Sequence, residues 1–258
     1  MDLSVIIVSW NVKELLKKCL TSIEKNKGQL NLKIFVIDNA SHDDSAEMVK
    51  TEFPQVKLIT NKTNHGFAAA NNQGIKQSQG KYVLLLNPDT EILPETLSSM
   101  VNFMDQNSEI GISGCKLLNP DKTLQPSVRH FPTPSAILLI LTKLARLWPK
   151  NKSLKHYLAR DFDYTAAQPV DQVMGAFFLI RQKVIEAIGL LDEKFFIWFE
   201  EVDFCRRAKR AGWETWYYPK AQIIHHGGQS FKQQLTLKKQ FRFFQSAWYY
   251  FRKHEFKT

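Results

Sequence analysis

The stretch Lys81-Tyr-Val-Leu-Leu-Leu-Asn-Pro-Asp-Thr90 decides the fold class of this chain. Its five consecutive apolar residues, 82–86, predict a strand that is buried on both faces. Pro88 ends that strand, because proline lacks the backbone N–H that a sheet ladder requires. Asp89 is thereby fixed just past the carboxyl end of a buried strand, where open α/β sheets bind ligands. Mg²⁺ commonly uses one or two carboxylates plus substrate phosphates, so Asp89 is a candidate for holding a metal–diphosphate, with an ordinary polar turn as the alternative.

Strand and helix patterns alternate on both sides of this stretch. The sequence predicts strands over residues 3–9, 33–38, 56–60, 81–86 and 110–118. It predicts helices over 12–27, 43–53 and 64–79 and another after Pro94. Such alternation with short loops is typical of a parallel, doubly wound α/β sheet. The G-x-G-x-x-G fingerprint is missing from the sequence, which argues against a standard NAD site.

The second half of the chain has a different character. Prolines 126, 132 and 134 interrupt a connector that leads into a basic, apolar stretch over 137–148. Strands are predicted over 173–180, 214–218 and 221–226, and a helix over 199–211. A glycine inside the strand 173–180 indicates a position where another group approaches the backbone closely.

Composition and charge limit the classes of protein. The 258 residues are 44% hydrophobic and 23% charged, as in ordinary globular proteins. The three cysteines lack the spacing of a zinc site and fit a reducing compartment. Of the net charge of +10, segments 122–160 and 231–258 carry +14, which leaves −4 for the rest. Nucleic-acid binders more often carry their basic stripe on the core itself, so no nucleic-acid partner is expected.

Carboxylates at strand ends and helix starts are the candidate functional residues. Asp38 ends the second strand at the same edge as Asp89, and it could accept hydrogen bonds from a pyrimidine or a ribose. The alternative for Asp38 is a helix N-cap, although Ser41 and Asp43 already offer that role. The helix that begins at residues 64–66 could present free N–H groups to a phosphate, or it could simply be well capped.

An acidic pair follows an aromatic run at Phe195-Phe-Ile-Trp-Phe-Glu-Glu-Val-Asp203. Burial there should raise the pKa of a carboxyl group, which suits a general base. Acids at a helix start also complement the helix dipole, and both interpretations can hold together. His225, after an apolar strand, could complete a metal site with Asp89 as a neutral imidazole, or it could be a buried structural histidine.

These motifs, in their order and spacing, resemble those of family 2 glycosyltransferases, most closely the bacterial rhamnosyltransferase-type subgroup. The resemblance covers about residues 3–230. It rests on Val5-Ile-Ile-Val-Ser-Trp-Asn11, Val36-Ile-Asp-Asn-Ala-Ser41, Asn64-His-Gly-Phe-Ala-Ala-Ala-Asn-Asn72, Leu86-Asn-Pro-Asp-Thr90, Met174-Gly-Ala176, Phe199-Glu-Glu-Val-Asp203 and His225-His-Gly-Gly228. It implies a GT-A fold with a Rossmann-like, mostly parallel sheet, a smaller acceptor-side sheet and a C-terminal helical extension.

The resemblance also implies an inverting transfer from a UDP- or dTDP-linked sugar, assisted by Mg²⁺ or Mn²⁺. Glu201 takes the position of the catalytic base, usually Asp in the broader family, and Glu200 is its partner. Asp89 takes the last position of the DxD motif and holds the metal, with His225 as a second ligand. The first DxD acid is replaced by Asn87, which bears on metal affinity. The other expected contacts are to the nucleotide-sugar (Ser9, Asn11, Asp38, Asn64, Gly66, Asn72, Asn87 and Asp89) and to the acceptor (Gly175, Ala176 and Asp203).

The expected organisation is one GT-A domain over 1–230, with a nucleotide-sugar half (1–118) and an acceptor and catalytic half (119–230). A basic, aromatic C-terminal helix over 231–258 follows. The stretch 137–148 is too short to span a bilayer but apolar enough to lie in its surface. Lys and Arg beside aromatic residues in the tail are typical of an anionic membrane surface, and packing of those aromatics into the core is the alternative.

The expected acceptor is a glycan or a lipid-linked molecule in cell-surface polysaccharide synthesis. The expected location is cytoplasmic, peripheral on the inner face of the membrane. No signal peptide is evident at the start of the sequence. Three alternatives remain: a catalytically inactive GT-A scaffold, a basic membrane-binding module, and a sugar nucleotidyltransferase. The last usually carries a Gly-rich phosphate loop, which the sequence around residues 9–11 does not resemble.

Overall fold

The computed structural model describes residues 1–227 and 236–255. Gly228 of the last motif and tail residues 231–235 and 256–258 lie outside the described residues. The helices are α1 (Lys13–Asn26), α2 (Ser45–Glu52), α3 (Phe67–Ile75), α4 (Thr96–Gln106), α5 (Pro134–Leu141), α6 (Lys152–Tyr157), α7 (Gln182–Ile188), α8 (Glu200–Arg210) and α9 (Thr236–His254). The strands are β1 (Leu3–Ser9), β2 (Leu32–Asp38), β3 (Lys57–Thr60), β4 (Tyr82–Leu86), β5 (Thr90–Ile92), β6 (Ile110–Leu118), β7 (Leu124–Gln125), β8 (Val128–Arg129), β9 (Gln168–Val170), β10 (Gln172–Val173), β11 (Phe177–Arg181) and β12 (Glu214–His225).

A large, mostly parallel sheet runs through the protein in the order β3-β2-β1-β4-β11-β6-β12-β5. The first four strands are mutually parallel, as the alternating pattern predicts. Strand β11 pairs antiparallel with both β4 and β6 and so joins the two predicted halves of the chain into one sheet. A separate small sheet contains β8 and β10.

Two apolar layers cover this sheet. Strands β1, β4 and β11 are buried at every residue, because helices pack on both of their faces. Side chains of successive strand residues alternate between the two core clusters, as at Val5 and Ile6 or at Leu84 and Leu85. The continuous apolar runs in the sequence therefore correspond to two-sided burial.

Several predicted elements differ from the structure in length or direction. The predicted helix 64–79 is only α3, and the predicted strand 173–180 is broken between β10 and β11 by the segment 174–176. Strand β12 spans both predicted strands 214–218 and 221–226, with an irregularity between Tyr218 and Gln222 where it pairs with β6. Strand β5 follows Pro88 and reverses direction, because it pairs antiparallel with β12.

The C-terminal helix α9 packs against the body of the protein through one face. Ala247, Tyr250 and Phe251 on that face are buried and join a cluster with Ile137 of α5 and Phe199. The packing alternative for the aromatic tail is therefore confirmed for this face. A different set of aromatic residues on α9 remains exposed to solvent.

Candidate active site

Polar residues from distant parts of the chain meet at one edge of the sheet. Strands β1, β2, β4 and β12 point in the same direction, so their carboxyl ends share that edge. Ser9 and Asp38 end β1 and β2 in register with each other. Asn87 follows β4, and His225 ends β12. The edge predicted from Asp89 is thus the edge at which the structure collects its polar groups.

A cavity of about 680 Å³ opens at this edge, within the size range of small-molecule sites. Six of the predicted site residues line it: Asn87, Gly175, Ala176, Glu200, Glu201 and His225. Its other polar lining includes Gln125 and Arg129, and its apolar walls include Ile140, Trp198 and Phe243. The predicted catalytic pair therefore faces a space large enough for a sugar and part of its carrier.

A turn of unusual backbone conformation delivers the two glutamates to the cavity. Trp198 and Phe199 both have positive φ, 65° and 70°, which is uncommon for residues other than glycine and clusters at functional sites. The helix α8 begins immediately afterwards, so Glu200 and Glu201 occupy its first turn. Gly175 faces them, because a Cβ at that position would lie 3.9 Å from Cδ of Glu201. The Glu201 side chain is thus the neighbour of this glycine, at an ordinary van der Waals distance.

Both glutamates have raised pKa values. Burial is the main cause of the raised pKa of each, and the neighbouring charge of Glu201 adds to that of Glu200. Arg129 acts in the opposite direction on Glu201, whose pKa it lowers together with backbone N–H groups at the helix start. One oxygen of each carboxyl group, Oε2, is buried without a hydrogen-bond partner among the described residues. A buried carboxyl oxygen without a hydrogen-bond partner is available to accept a hydrogen bond from a substrate hydroxyl.

Asp89 and His225 form a buried pair, of which His225 lines the cavity and Asp89 does not. Nε2 of His225 is 3.4 Å from Oδ1 of Asp89, and the antiparallel pairing of β5 with β12 holds them there. Nδ1–H of His225 donates to Oε1 of Gln125 at 2.6 Å. Because the Gln125 amide nitrogen donates to Asn119 and to the His225 carbonyl, its Oε1 must be the acceptor. Nδ1 of His225 is therefore engaged by Gln125, and Nε2 is the ring nitrogen that faces Asp89.

This pair fits a divalent cation. Within residues 1–227 and 236–255, Nε2 of His225 has no hydrogen-bond partner. A carboxylate oxygen and an imidazole nitrogen 3.4 Å apart would be able to contact the same divalent cation. The Gln125 contact is the type of outer contact that orients a metal-binding histidine. The described residues contain no group of three or more His, Cys, Asp or Glu suited to a metal, so a diphosphate and water would complete the shell.

Ser9 and Asp38 form a second polar group on the same edge but do not line the cavity. Asp38 Oδ2 accepts the Ser41 N–H at 3.1 Å. Asp38 Oδ1 and Ser9 Oγ are buried and lack partners in the described part of the chain. Nearby, Oδ1 of Asn11 accepts the His42 N–H at 2.7 Å. Two unsatisfied polar atoms in register at a strand edge are consistent with the predicted base or ribose contacts.

At the start of α3, three N–H groups are already bonded within the protein, which favours the well-capped helix over the predicted phosphate site. The N–H of Gly66 donates to Asn64 Oδ1 at 2.9 Å, and that of Phe67 donates to the Phe196 carbonyl at 2.7 Å. The His65 N–H donates to Oδ1 of Asn39 at 3.1 Å. The Phe67 N–H therefore holds the loop before α8, whereas the N–H groups of His65 and Gly66 hold the turn around Asn39 and Asn64. Gly66 is needed because a Cβ would lie 2.4 Å from the Phe196 carbonyl oxygen.

Asn72 likewise has a structural role and does not line the cavity. Its amide donates to the Leu191 carbonyl and to Glu193 Oε1, both at 2.9 Å, and it accepts the Leu191 N–H at 3.1 Å. These bonds tie α3 to the loop that leads to α8. The sequence could not distinguish this use of a buried amide from binding of a nucleotide-sugar.

Asp203 does not face the acceptor side. Its carboxylate is fully buried and contacts Arg207 Nε at 2.8 Å and Lys253 Nζ and His254 Nε2 at 2.7 Å each. Burial alone would raise its pKa, but the bonds from His254, Lys253 and Arg207 lower it to about 2. Asp203 thus joins α8 to α9, because the charge of a buried carboxylate must be balanced by basic partners.

Sequence reasoning missed Gln125 and Arg129. Both belong to the proline-interrupted connector, in the two-residue strands β7 and β8. No periodic pattern or motif marks strands this short. The charge of Arg129 was visible in the basic segment 122–160, but its place near Glu201 follows only from the pairing of β8 with β10.

Comparison with known proteins agrees with this geometry. The family model described as Glycosyl transferase family 2 matches residues 4–189. The chain belongs to glycosyl transferase family 2. The N-acetylglucosaminyl-diphospho-decaprenol L-rhamnosyltransferase of Mycobacterium tuberculosis is a similar family member, 26% identical over 76% of this chain and 67% of its own length. The low-salt glycan biosynthesis hexosyltransferase Agl10 of Haloferax volcanii is 30% identical over 81% of this chain and 62% of its own length.

Solved glycosyltransferases share the fold. GalNAc-T7 with UDP, GalNAc and Mn²⁺ matches with a TM-score of 0.63 and 17% identity over 87% of this chain and 44% of that protein. S. aureus TarS 1-349 in complex with UDP-GlcNAc matches with a TM-score of 0.59 and 17% identity, over 92% of this chain and 62% of that protein. The fold of this family 2 chain is therefore GT-A, as expected. The chain spans about two thirds of the curated relatives and less than half of GalNAc-T7.

Proposed function

We propose that this chain is an inverting, metal-assisted glycosyltransferase that acts on a hydroxyl group of a glycan or lipid-linked acceptor. The observation that carries the proposal is the pair of glutamates of raised pKa that line the cavity together with His225, which pairs with Asp89 at the sheet edge. An inactive scaffold has no need to hold two carboxyl groups of raised pKa against each other. The similarity to a rhamnosyltransferase named for a diphospho-decaprenol substrate supports a lipid-linked acceptor.

Glu201 is assigned as the base, and Glu200 as its protonated partner. The pKa of Glu200 is raised well above its usual value, whereas Arg129 opposes the rise at Glu201. Environments that push the pKa values of two carboxyl groups apart divide their roles, so Glu201 ionises first. It would accept the proton of the acceptor hydroxyl as that oxygen attacks the anomeric carbon from the face opposite the diphosphate. A single displacement of this kind inverts the anomeric centre.

The donor is proposed to lie along the sheet edge. Ser9 and Asp38 would bind the base or ribose through their unsatisfied atoms, and the diphosphate would extend toward Asn87. Asp89 and His225 would hold the divalent cation, which supplies charge neutralisation for the diphosphate leaving group. UDP or dTDP is the expected nucleotide, and UDP is supported by the GT-A structures of GalNAc-T7 and TarS.

Thermal unfolding with UDP, dTDP, GDP or ADP, each with and without Mn²⁺ or Mg²⁺, tests this arrangement. A nucleotide at a hundred times its dissociation constant adds about 2.7 kcal/mol of stability. For a chain of this size that is a rise in Tm of roughly 5–10 °C. We expect stabilisation by UDP or dTDP with metal, and loss of the metal-dependent part in Asp89→Asn and His225→Asn.

His226→Gln is the matched control for His225→Asn, because the His226 imidazole lies 2.7 Å from Glu91 Oε1. It should keep the metal response. Stabilisation by no nucleotide at all would contradict the proposal and favour an inactive scaffold. A metal response that survives in both Asp89→Asn and His225→Asn would remove this pair from the metal site.

Arg129→Gln is expected to move the acidic limb of the pH–rate profile to higher pH. The positive charge lowers the pKa of Glu201, so its removal raises that pKa. A base works when deprotonated, and the variant must therefore lose more activity at pH values below the limb than above it. The measurement is kcat/KM against pH, with Arg129→Lys as the charge-conserving control. Equal loss at all pH values in Arg129→Gln would contradict a charge effect on Glu201.

A further inference from the structure

The helix α9 has an exposed apolar stripe in addition to its packed face. Leu237, Phe241, Phe244 and Trp248 are 52–80% exposed. Their spacing of four, three and four residues puts them on one side of the helix. The packed residues, such as Tyr250, lie on a different side. Three more large apolar residues, Leu138, Leu147 and Trp148, are 61–73% exposed on or just after α5, which contacts α9. These seven residues are called the apolar face below.

Basic side chains accompany the apolar face. Lys143, Arg146 and Lys150 are exposed within the segment 122–160, which contains no acidic residue. Lys238 and Arg252 are exposed on α9. Aromatic and aliphatic residues flanked by Lys and Arg are the composition of elements that lie in an anionic lipid interface. Soluble monomers rarely expose apolar patches of this kind without a binding role.

The apolar face continues into the active-site cavity. Ile140 of α5 and Phe243 of α9 line the cavity, and both elements also carry residues of the apolar face. The Phe243 ring contacts the Trp198 ring edge-on, at 5.5 Å between centroids, and Trp198 is also a lining residue. An apolar wall therefore runs from beside Glu200 and Glu201 toward the exposed side of α5 and α9.

We propose that the apolar face docks on an anionic lipid bilayer, with the cavity opening beside the membrane surface. Docking itself needs no substrate, whereas its purpose, presentation of a lipid-linked acceptor, rests on the proposed function. The hydrocarbon chain of such an acceptor stays in the bilayer while its polar head reaches Glu201. A second copy of this chain is a poorer partner for the apolar face, because a symmetric contact would bring the basic residues of the two copies together.

Vesicle flotation with the full chain and no nucleotide or acceptor tests the proposal. The probes are phosphatidylcholine vesicles with about one third phosphatidylglycerol, and vesicles of phosphatidylcholine alone. We expect the chain to float with the anionic vesicles and to bind less at about 0.5 M than at about 0.1 M NaCl, because salt screens the basic residues. Phe241→Ser/Phe244→Ser is expected to reduce binding at least roughly tenfold, since two exposed phenyl rings no longer enter the interface.

Leu124→Ser is the matched control, since Leu124 is 39% exposed but lies on β7, outside the apolar face. A second variant, Lys143→Gln/Arg146→Gln/Lys150→Gln, should lose the preference for anionic vesicles while it remains folded. Wild-type binding by both multiple variants would overturn the proposal. The proposal would also be overturned if the chain did not bind vesicles but self-associated, and Phe241→Ser/Phe244→Ser abolished that self-association. The apolar face would then be a contact between copies of the chain.

The test is separate from the transferase proposal. Glu201→Gln should float as the wild type does, whatever its activity. Phe241→Ser/Phe244→Ser should keep transfer to a water-soluble acceptor and lose efficiency only toward an acceptor embedded in vesicles. No helix of the described residues is long and apolar enough to cross a membrane, and the proposed attachment depends only on the surface of α5 and α9.

Discussion

Glu201→Gln is expected to lower kcat by roughly 10²–10⁴-fold, the usual contribution of a general base. Glutamine keeps the size of the side chain but cannot accept the proton of the acceptor hydroxyl. Nucleotide binding should change little, because the proposed nucleotide contacts are at Ser9, Asp38 and Asp89. The measurements are transfer rates with the donor selected by thermal unfolding, and calorimetric binding of the nucleotide to the variant. The anomeric configuration of the wild-type product, read by NMR, tests inversion.

Glu200→Gln is the matched control for this variant. If Glu200 holds the proton of the pair, an amide imitates its neutral form, and activity should stay within about tenfold of the wild type. Loss of activity in Glu200→Gln with retention in Glu201→Gln would exchange the two roles. Near-normal turnover in both variants would remove the pair from catalysis.

Asp203→Ala is expected to lower the free energy of unfolding by about 3–5 kcal/mol, as removal of one partner from a buried ion cluster does. Arg207, Lys253 and His254 would be left facing one another without the carboxylate. The loss should loosen α9 from α8 and from the turn that carries Glu200 and Glu201. Urea unfolding of the wild type and the variant at pH 7 measures the difference.

The contribution of Asp203 also has a defined pH window. Its pKa is about 2 in the folded protein and 3.8 without the fold, so its carboxylate stabilises the protein at pH values above about 4. This stability is lost as the pH falls from about 4 toward about 2. Asp203→Ala lacks the group, and its free energy of unfolding should therefore depend less on pH in that window.

Asp161→Ala is the control for a surface ion pair. The Asp161 side chain is 77% exposed and pairs with Lys155 at 2.7 Å, and such pairs contribute less than about 1 kcal/mol. A loss of similar size in Asp161→Ala and Asp203→Ala would contradict the structural role of the buried cluster.

Local patterns in the sequence were sufficient for most strands within residues 1–118. Strands β1, β2, β4 and β6 match the predicted strands within one residue, because a buried parallel strand leaves an uninterrupted apolar run. The segment 174–176 was harder to predict. It interrupts an apolar run between β10 and β11, and its break follows from pairing with different partners on either side.

The roles of individual polar residues were harder to predict from the sequence. Asp203 and Glu201 are two positions apart on one helix, yet one is bonded to α9 and the other faces the cavity. Asn64 and Asn72 belong to a family motif, yet the Asn72 amide holds the loop before α8 and the Asn64 amide oxygen accepts the Gly66 N–H. A sequence shows that a residue can form hydrogen bonds, but the partner is decided by packing between separate segments, 119 residues apart for Asn72 and Leu191 and 51 for Asp203 and His254.

By itself, the sequence determined an α/β protein of the family 2 glycosyltransferase type, a sheet edge marked by Asp38 and Asp89, and an acidic pair after an aromatic run. These features depend on residue order within short segments, where burial and strand ends leave a periodic pattern. Only the tertiary structure decided that Gln125 orients His225, that Arg129 acts on Glu201, and that α9 both packs on the body and exposes an apolar stripe. The physical reason is that contacts across the sheet and between helices depend on strand direction and register, which no local pattern encodes.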